Sequence, residues 1–276
     1  MGDLTATDVD EIKRFLMRAT DEIRTWLPAP LEPAWKSEAS SELRNPEQGP
    51  SGPWGETPVR MAYAAIHHFL FAATECLEAL ADSMSLETTI YVPHVLARAA
   101  MEAGAQAWWL LEPGIGARRR VIRSVLIRKA SARYLGRAAN EMSPPVNASA
   151  YGEDEAMVDT HAQGLGLALV DTRVGRNRVL TCETETLPGY TQRANDFQKA
   201  VYMTAAYSIY SGAAHAELYA ISQSWRQSTS APALLERSHE RVAIWAAVYA
   251  ASGFAMVPAF NLRYSAMRAD CGADAL

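Results

Sequence analysis

The sequence predicts an all-α fold, organised as a single-domain helical bundle of seven to nine helices with a proline-rich N-terminal arm. Apolar residues recur three and four positions apart through long segments of the 276-residue chain, as on helices with one buried face. Proline and glycine collect between those segments, where helices would end. Strands and helices do not alternate as in βαβ units, which favours a bundle over a parallel sheet.

The first helix is predicted from Asp8 to Leu27, because its apolar residues lie near one helix face. The segment 28–57 follows and contains six prolines, a density that forbids a continuous helix or a central strand. Trp35 and Trp54 lie in this irregular arm. Two interpretations are open: the arm wraps over the core through its tryptophans, or it forms a mobile loop.

Four helices are predicted in the middle of the chain. Thr57 and Pro58 provide a cap followed by proline at the first helical position. The four predicted helices are Pro58 to about Met84, Thr88 to Leu111, Gly116 to Met142 and, more weakly, Glu153 to Leu167. Segments 143–152 and 168–190 are predicted as loops, and the second is compatible with a short hairpin around Val174 to Leu180.

The C-terminal part is also predicted to be helical. The predicted helices are Thr191 to Tyr210, Ala213 to Gln227 after a break at Gly212, and Pro232 to about Met267. The last one contains Val242 to Phe260, which has no formal charge and is long enough to span a membrane. Because this stretch is rich in alanine and poor in leucine and isoleucine, we expect a buried helix and no membrane contact.

The amino-acid composition limits the classes of protein to which this chain can belong. Apolar residues make up 49% and charged residues 21%, as in ordinary globular proteins, and the net charge of -5 excludes an overall polycation. The three cysteines are widely spaced, which argues against a disulfide framework and a cysteine zinc site and favours a reducing, cytoplasmic compartment. A di-iron bundle needs two Glu-x-x-His pairs, and only Glu236 with His239 fits. No metal site is predicted, and the cofactor stays unknown.

The third predicted helix carries a narrow polar ridge. His94, Arg98, Glu102 and Gln106 are spaced four residues apart on an otherwise apolar helix. A functional interpretation is a pocket for a small molecule, with Arg98 and Gln106 as binding residues and His94 or Glu102 as the titratable base. The structural interpretation is that Arg98 pairs with Glu102 or with a neighbouring helix, or that the ridge is simply a solvated stripe.

A second candidate site lies at a predicted helix break. Tyr207 and Ser211 precede His215 there, with Gly212 between them. A histidine at a helix junction serves either as an acid–base group or as a hydrogen-bonded structural residue. We therefore predict His215 as a candidate catalytic residue, and Tyr207 and Ser211 as candidate binding residues.

The fourth predicted helix is strongly basic. Its cations are Arg118, Arg119, Arg120, Arg123, Arg128, Lys129, Arg133 and Arg137. Such a cluster on an acidic protein is compatible with tracking phosphates. These residues point in several directions around the helix, however, and the simpler interpretation is intramolecular pairing with the acidic excess plus a solvated face.

Two segments resemble a known superfamily. The stretch YSIYSGAAHAE, residues 207–217, resembles the Tyr-Arg-x-x-Ser-x-x-x-His helix end of HEPN-like proteins. Residues 91–114 resemble a helix found in uncharacterised bacterial proteins of this type. Tyr207, Ser211 and His215 match the motif, whereas Ser208 occupies the position of its arginine.

The resemblance implies an all-α fold, a homodimer and, in active members, metal-independent RNA cleavage in defence or toxin–antitoxin settings. Because Ser208 replaces the arginine, we expect an interaction or RNA-associated protein, with an RNA or protein partner, that lacks nuclease activity. The alternative is a small-molecule enzyme whose pocket is lined by His94, Arg98, Glu102 and His215.

Overall fold

The computed structural model describes residues 6–26, 38–44, 58–83, 92–141, 148–174, 177–200, 225–227 and 235–237. These residues are mostly helical, as predicted, and they also form small antiparallel sheets. The helices are α1 (Ala6–Trp26), α2 (Glu38–Leu43), α3 (Pro58–Ser83), α4 (Val92–Leu110), α5 (Gly116–Glu141), α6 (Ala148–Gly164) and α7 (Tyr190–Ala200). The strands are β1 (Leu169–Val174), β2 (Asn177–Cys182), β3 (Glu185–Thr186), β4 (Trp225–Gln227) and β5 (Leu235–Arg237).

The chain folds into two compact units, and the boundary between them falls inside α3. The first unit comprises Met1–Pro30, His67–Leu111 and Tyr190–Ser265. The second comprises Leu31–Ile66, Glu112–Gly189 and Ala266–Leu276. The polar ridge of α4 therefore belongs to the first unit, and the basic helix α5 belongs to the second.

In the first unit, α1, most of α3, α4 and α7 supply a core of buried aliphatic and aromatic side chains. Leu16 and Ile23 of α1 are fully buried, and an ion pair of 2.5 Å joins Arg24 to Glu78 of α3. Helix α4 packs against α7, where the ring centroids of Trp108 and Phe197 lie 5.7 Å apart. The apolar periodicity that predicted these helices is thus used for burial.

In the second unit, α5 is the central element. It packs along α6 and also contacts α2, β2 and β3. The buried apolar residues of this unit come from α2, α5, α6, β2 and the start of α3; the larger ones on α5 are Val121, Ile122, Val125, Leu126 and Ile127. A basic helix is therefore buried on much of its surface, and its buried cations require carboxylate partners.

Helix α6 ends in a Schellman motif. The amide of Leu167 donates to the carbonyl of Ala162, and the amide of Gly166 donates to that of Gln163, both at 2.9 Å. Gly166 has φ = +67°, a left-handed conformation that glycine adopts without strain. Leu167 is buried, which supplies the hydrophobic contact that accompanies this motif.

The predicted loop 168–190 contains a three-stranded antiparallel sheet with the order β1-β2-β3. The hairpin that the sequence left open is present and extends from the pair Val174–Asn177 to the pair Leu169–Cys182. Alternating β-branched residues favour these strands over a loop. The purely α-helical prediction is corrected here by a small sheet that covers part of α5.

The arm and the C-terminal part also differ from expectation. Helix α2 lies within the predicted irregular segment 28–57, in the stretch between Pro33 and Pro46 that contains no proline. Strands β4 and β5 pair antiparallel, with Trp225 opposite Arg237, where helices were predicted. The sequence between them contains serine, threonine and proline, residues that disfavour helix interiors. The other predicted helical residues beyond Ala200 lie outside the described ranges.

Across the helices that the structure describes, none combines the length and the apolar character that a membrane crossing requires. The segment Val242 to Phe260 lies outside the described residues.

Candidate functional site

The polar ridge of α4 contains an ion pair within the helix. Arg98 Nε donates to Glu102 Oε1 at 2.8 Å, and the two side chains are 21% and 25% exposed. The predicted pairing of Arg98 with Glu102 is therefore confirmed. Because each side chain is about four-fifths buried, the pair is shielded from solvent more than a surface ion pair, yet it is not sealed in the core.

His94 lies one helical turn before Arg98 and is buried, with 4% exposure. Burial disfavours the imidazolium ion and lowers the pKa of His94 to about 4. The ring is consequently neutral at physiological pH and presents one nitrogen as a donor and the other as an acceptor. Such a group binds or orients a polar partner readily but is a weak proton acceptor near neutral pH.

Gln106 is half-buried at the far end of the ridge. The intervening turns of α4 contain small buried residues, among them Ala103, Gly104 and Ala107, which allow neighbouring backbone to approach closely. The ridge thus combines one neutral buried ring, one ion pair and one amide along a closely packed helix. That arrangement is compatible with helix packing and with contact to a polar ligand alike.

The contact between α4 and α7 adds residues that the sequence analysis did not single out. The Arg193 guanidinium lies 4.7 Å from the Tyr190 ring centroid and 5.8 Å from that of Trp109, within cation–π range. Gln198 Nε2 lies 2.9 Å from Met101 Sδ. The adjacent Trp108 and Trp109 at the end of α4 were the sequence feature that could have indicated this contact. Their partners on α7 are far away in sequence and have no fixed spacing from them, so the sequence does not identify them.

The second candidate site lies outside the described residues. His215, Tyr207 and Ser211 all belong to 201–224, as does Ser208. The expected pocket between the α4 ridge and His215 therefore stays a prediction from the sequence.

The basic helix α5 is an ion-pair scaffold. Six of its cations pair with carboxylates of the same unit: Arg118 with Glu183, Arg119 with Glu185, Arg120 with Glu38 and Glu42, Arg123 with Glu112 and Glu185, Lys129 with Glu155 and Asp159, and Arg133 with Glu155 and Asp171. The prediction of intramolecular pairing is confirmed for these six. The remaining two are Arg128, which helps lower the pKa of half-buried His161 beyond the effect of burial, and Arg137, which is exposed.

Arg120 is the most deeply buried of these cations, with a fully buried side chain. Its Nε donates to Glu42 Oε2 at 2.8 Å, and its Nη2 donates to Glu38 Oε1 at 2.9 Å. The hydroxyl of Tyr63 donates to the same Glu42 oxygen at 2.8 Å, and the guanidinium lies 5.4 Å from the Tyr63 ring centroid. Burial alone would lower the pKa of Arg120, but Glu42, Tyr63 and Glu38 raise it, so the charge is retained.

A second cluster surrounds Glu185 of β3, which is buried at 5% exposure. Arg123 Nε donates to Glu185 Oε2 at 2.7 Å, and Arg119 Nε donates to Oε1 at 2.6 Å. Arg123 also pairs with Glu112 at 2.6 Å. One buried carboxylate thus fixes the short strand β3 against α5 through both of its oxygens.

A third cluster joins α5 to α6 and β1. Lys129 Nζ lies 2.6 Å from Asp159 and 2.9 Å from Glu155, and Arg133 lies 2.9 Å from Asp171. Burial would raise the pKa of Glu155, but Lys129 and then Arg133 outweigh it and lower that pKa. Most partners of the α5 cations are between 22 and 82 residues away in sequence, so periodicity within α5 does not identify them.

Within the described parts of the chain, no group of three or more His, Cys, Asp or Glu residues is placed to hold a metal ion. Comparison with protein-family models, curated proteins and solved structures found no match for this chain.

Proposed function

We propose that this chain is a HEPN-like helical interaction protein that binds a partner, either RNA or protein, and has no ribonuclease activity. The observation that carries the proposal is the engagement of the α5 cations in ion pairs within their own unit. A HEPN-type site needs a cation beside its histidine, and Ser208 does not provide one.

Replacement of the missing cation by an α5 arginine is energetically unfavourable. Arg120 and Arg123 are buried, and each neutralises a buried carboxylate, Glu42 and Glu185 respectively. Withdrawing one partner of a buried pair leaves an uncompensated charge, at a cost of about 3–5 kcal/mol. The engaged arginines are therefore better suited to holding the fold together than to stabilising a scissile phosphate.

The same proposal includes a homodimer in a cytoplasmic, bacterial setting such as phage defence or a toxin–antitoxin pair. The support is the sequence resemblance at residues 91–114 and 207–217. In such a system a member without the catalytic arginine acts by contact, through occupying or positioning a partner.

Metal-free protein incubated with a mixed RNA pool tests the absence of cleavage. We expect no cleavage by the purified chain and none by the His215→Ala variant. The matched gain-of-function variant is Ser208→Arg, which restores the motif position of the arginine. Cleavage by the unaltered chain that survives repurification and disappears in His215→Ala would contradict the proposal.

The alternative function is a small-molecule enzyme with a pocket lined by His94, Arg98, Glu102 and His215. The observation that favours it is the buried, neutral imidazole of His94 one turn from an ion pair. Native mass spectrometry of the purified chain tests this alternative, because a retained small molecule adds a defined mass. Loss of that mass in both His94→Gln and Glu102→Gln, with folding unchanged, would favour the enzyme over the interaction protein.

A further inference from the structure

The strand β1 has an open edge. It pairs with β2 on one side only, and in the described part of the chain no strand lies against its other side. Five of its six residues are exposed, including Val170 at 47% and Val174 at 61%. An exposed edge of this length presents unpaired backbone donors and acceptors, which are a template for another strand.

The sequence of that edge is complementary to itself. We propose that β1 pairs antiparallel with β1 of a second copy of this chain, around a two-fold axis at Thr172. In this register Asp171 faces Arg173 of the second copy, and Val170 faces Val174. Opposite charges, paired β-branched residues and a central Thr–Thr pair are all favourable cross-strand combinations.

Neighbouring registers are disfavoured. In an antiparallel pair, residues whose backbone groups point towards the shared edge lie opposite one another, and so do residues whose backbone groups point away from it. The allowed registers are therefore those in which the two-fold axis passes through a residue, and the neighbouring registers have the axis at Asp171 or at Arg173. Centring the axis on Asp171 places two carboxylates opposite each other, and centring it on Arg173 places two guanidinium groups together. Like charges directly opposite are destabilising, so charge selects the Thr172 register.

The environment of Arg173 supports an acidic partner across the open edge. Within the hairpin, Arg173 lies opposite Arg178 of β2, a like-charged pair. No described acidic group forms an ion pair with Arg173, whereas Asp171 forms ion pairs with Arg178 at 3.4 Å and with Arg133 at 2.9 Å. Asp171 of a second copy would therefore bring a carboxylate to an arginine whose nearest strand partner repels it.

An open cavity of about 550 Å³ adjoins the start of β1. Its lining includes Asp159 and Gln163 of α6, the Schellman glycine Gly166, and Leu169. Because a two-fold pair is closed, both β1 edges are used and no open edge is left on β1 for further copies. This inference gives the proposed homodimer a contact surface and does not depend on whether the chain cleaves RNA.

Disulfide trapping in the full-length chain tests the register. In Thr172→Cys the two introduced thiols face each other, with Cα atoms about 4.5–5.5 Å apart, a separation that a disulfide spans. The matched control, Val170→Cys, places its two thiols roughly 14 Å apart, beyond disulfide reach. We expect a cross-linked dimer well above the wild-type background for Thr172→Cys only, with mass spectrometry identifying the peptide pair joined through position 172.

Arg173→Glu provides the second measurement. It places a carboxylate opposite Asp171 twice in each dimer, and we expect dimer dissociation at least tenfold more favourable in sedimentation, with circular dichroism showing that the variant is still folded. Equal trapping at positions 170 and 172 would overturn the β1 contact, as would a dimer unaffected by Arg173→Glu, although a homodimer through another surface would stand. A wild-type monomer at all concentrations would overturn the β1 contact and the homodimer together.

Discussion

Arg120 and Glu42 form an ion pair that is almost completely removed from solvent, with side chains 0% and 6% exposed and 2.8 Å between Nε and Oε2. The pair joins α5 to α2, a six-residue helix that is too short to be stable in isolation. Tyr63 of α3 donates to the same carboxylate, so three separate segments meet at one buried charge pair.

Arg120→Met is therefore expected to destabilise the chain by about 3–5 kcal/mol, because it leaves Glu42 buried without its main counter-charge. Chemical denaturation followed by circular dichroism measures the change. Arg118→Met is the matched control, since Arg118 pairs with Glu183 at the surface, where loss of a pair costs about 1 kcal/mol or less. Equal stability losses in the two variants would show that burial does not determine how much these ion pairs contribute to the free energy of unfolding.

Arg98→Ala is expected to lower stability by about 1–2 kcal/mol. The loss is smaller than for Arg120 because Arg98 and Glu102 keep 21% and 25% exposure and water screens the charge that is left behind. Thermal melting of Arg98→Ala beside Val95→Ala, an exposed position on the same helix, measures it. A variant as stable as the parent would mean that the Arg98–Glu102 pair makes no measurable contribution to stability.

His94 gives the stability a defined pH dependence. Its folded-state pKa is about 4, below the ordinary value of 6.5, so the unfolded chain takes up a proton before the folded chain does. The contribution is fully present above about pH 6.5 and is lost as the pH falls towards 4, by up to about 1.4 kcal/mol per pH unit. Unfolding free energies of His94→Gln between pH 7 and 4 should show a shallower decline, whereas His68→Gln, at an exposed position, should retain the parental slope.

Glu183 occupies a left-handed conformation, with φ = 52°, in the turn between β2 and β3. Both Glu183→Ala and Glu183→Gly remove its ion pair with Arg118, but only glycine relieves the backbone strain. We expect the glycine variant to be about 1 kcal/mol more stable than the alanine variant. Parallel denaturation curves measure the difference, and an alanine variant equal to the glycine variant would contradict the strain.

Parts of the local structure follow directly from the sequence. Thr57 with Pro58 predicted the start of α3, and the predicted helix end at Leu111 lies one residue from the end of α4. The four-residue spacing of Arg98 and Glu102 predicted their contact, because residues i and i+4 are neighbours on any α-helix. These predictions succeeded because their physical causes lie within one or two helical turns.

Other features depended on distant partners. The sequence predicts a loop at 168–190 and only allows a hairpin there, because short alternating segments acquire strand structure only when another surface covers them. Helix α2 was likewise not predicted, because its buried Glu42 is neutralised by a residue 78 positions away. Arg193 was missed because one of its two aromatic partners, Trp109, lies on a different helix, α4.

The sequence by itself determined the helical class, the presence of α1 and α3 to α7, and the concentration of cations on α5. The start of α6 was predicted wrongly, because the helix begins at Ala148, inside the predicted loop 143–152. Only the tertiary structure decided what those cations do, since the same eight charges suit a phosphate-binding surface or an internal scaffold. Which of these two roles the α5 cations have depends on which carboxylates lie next to them and on how deeply the cations and carboxylates are buried. Glu38 and Glu42 of α2, Glu155 of α6 and Glu185 of β3 come from separate elements, and only folding brings them to α5.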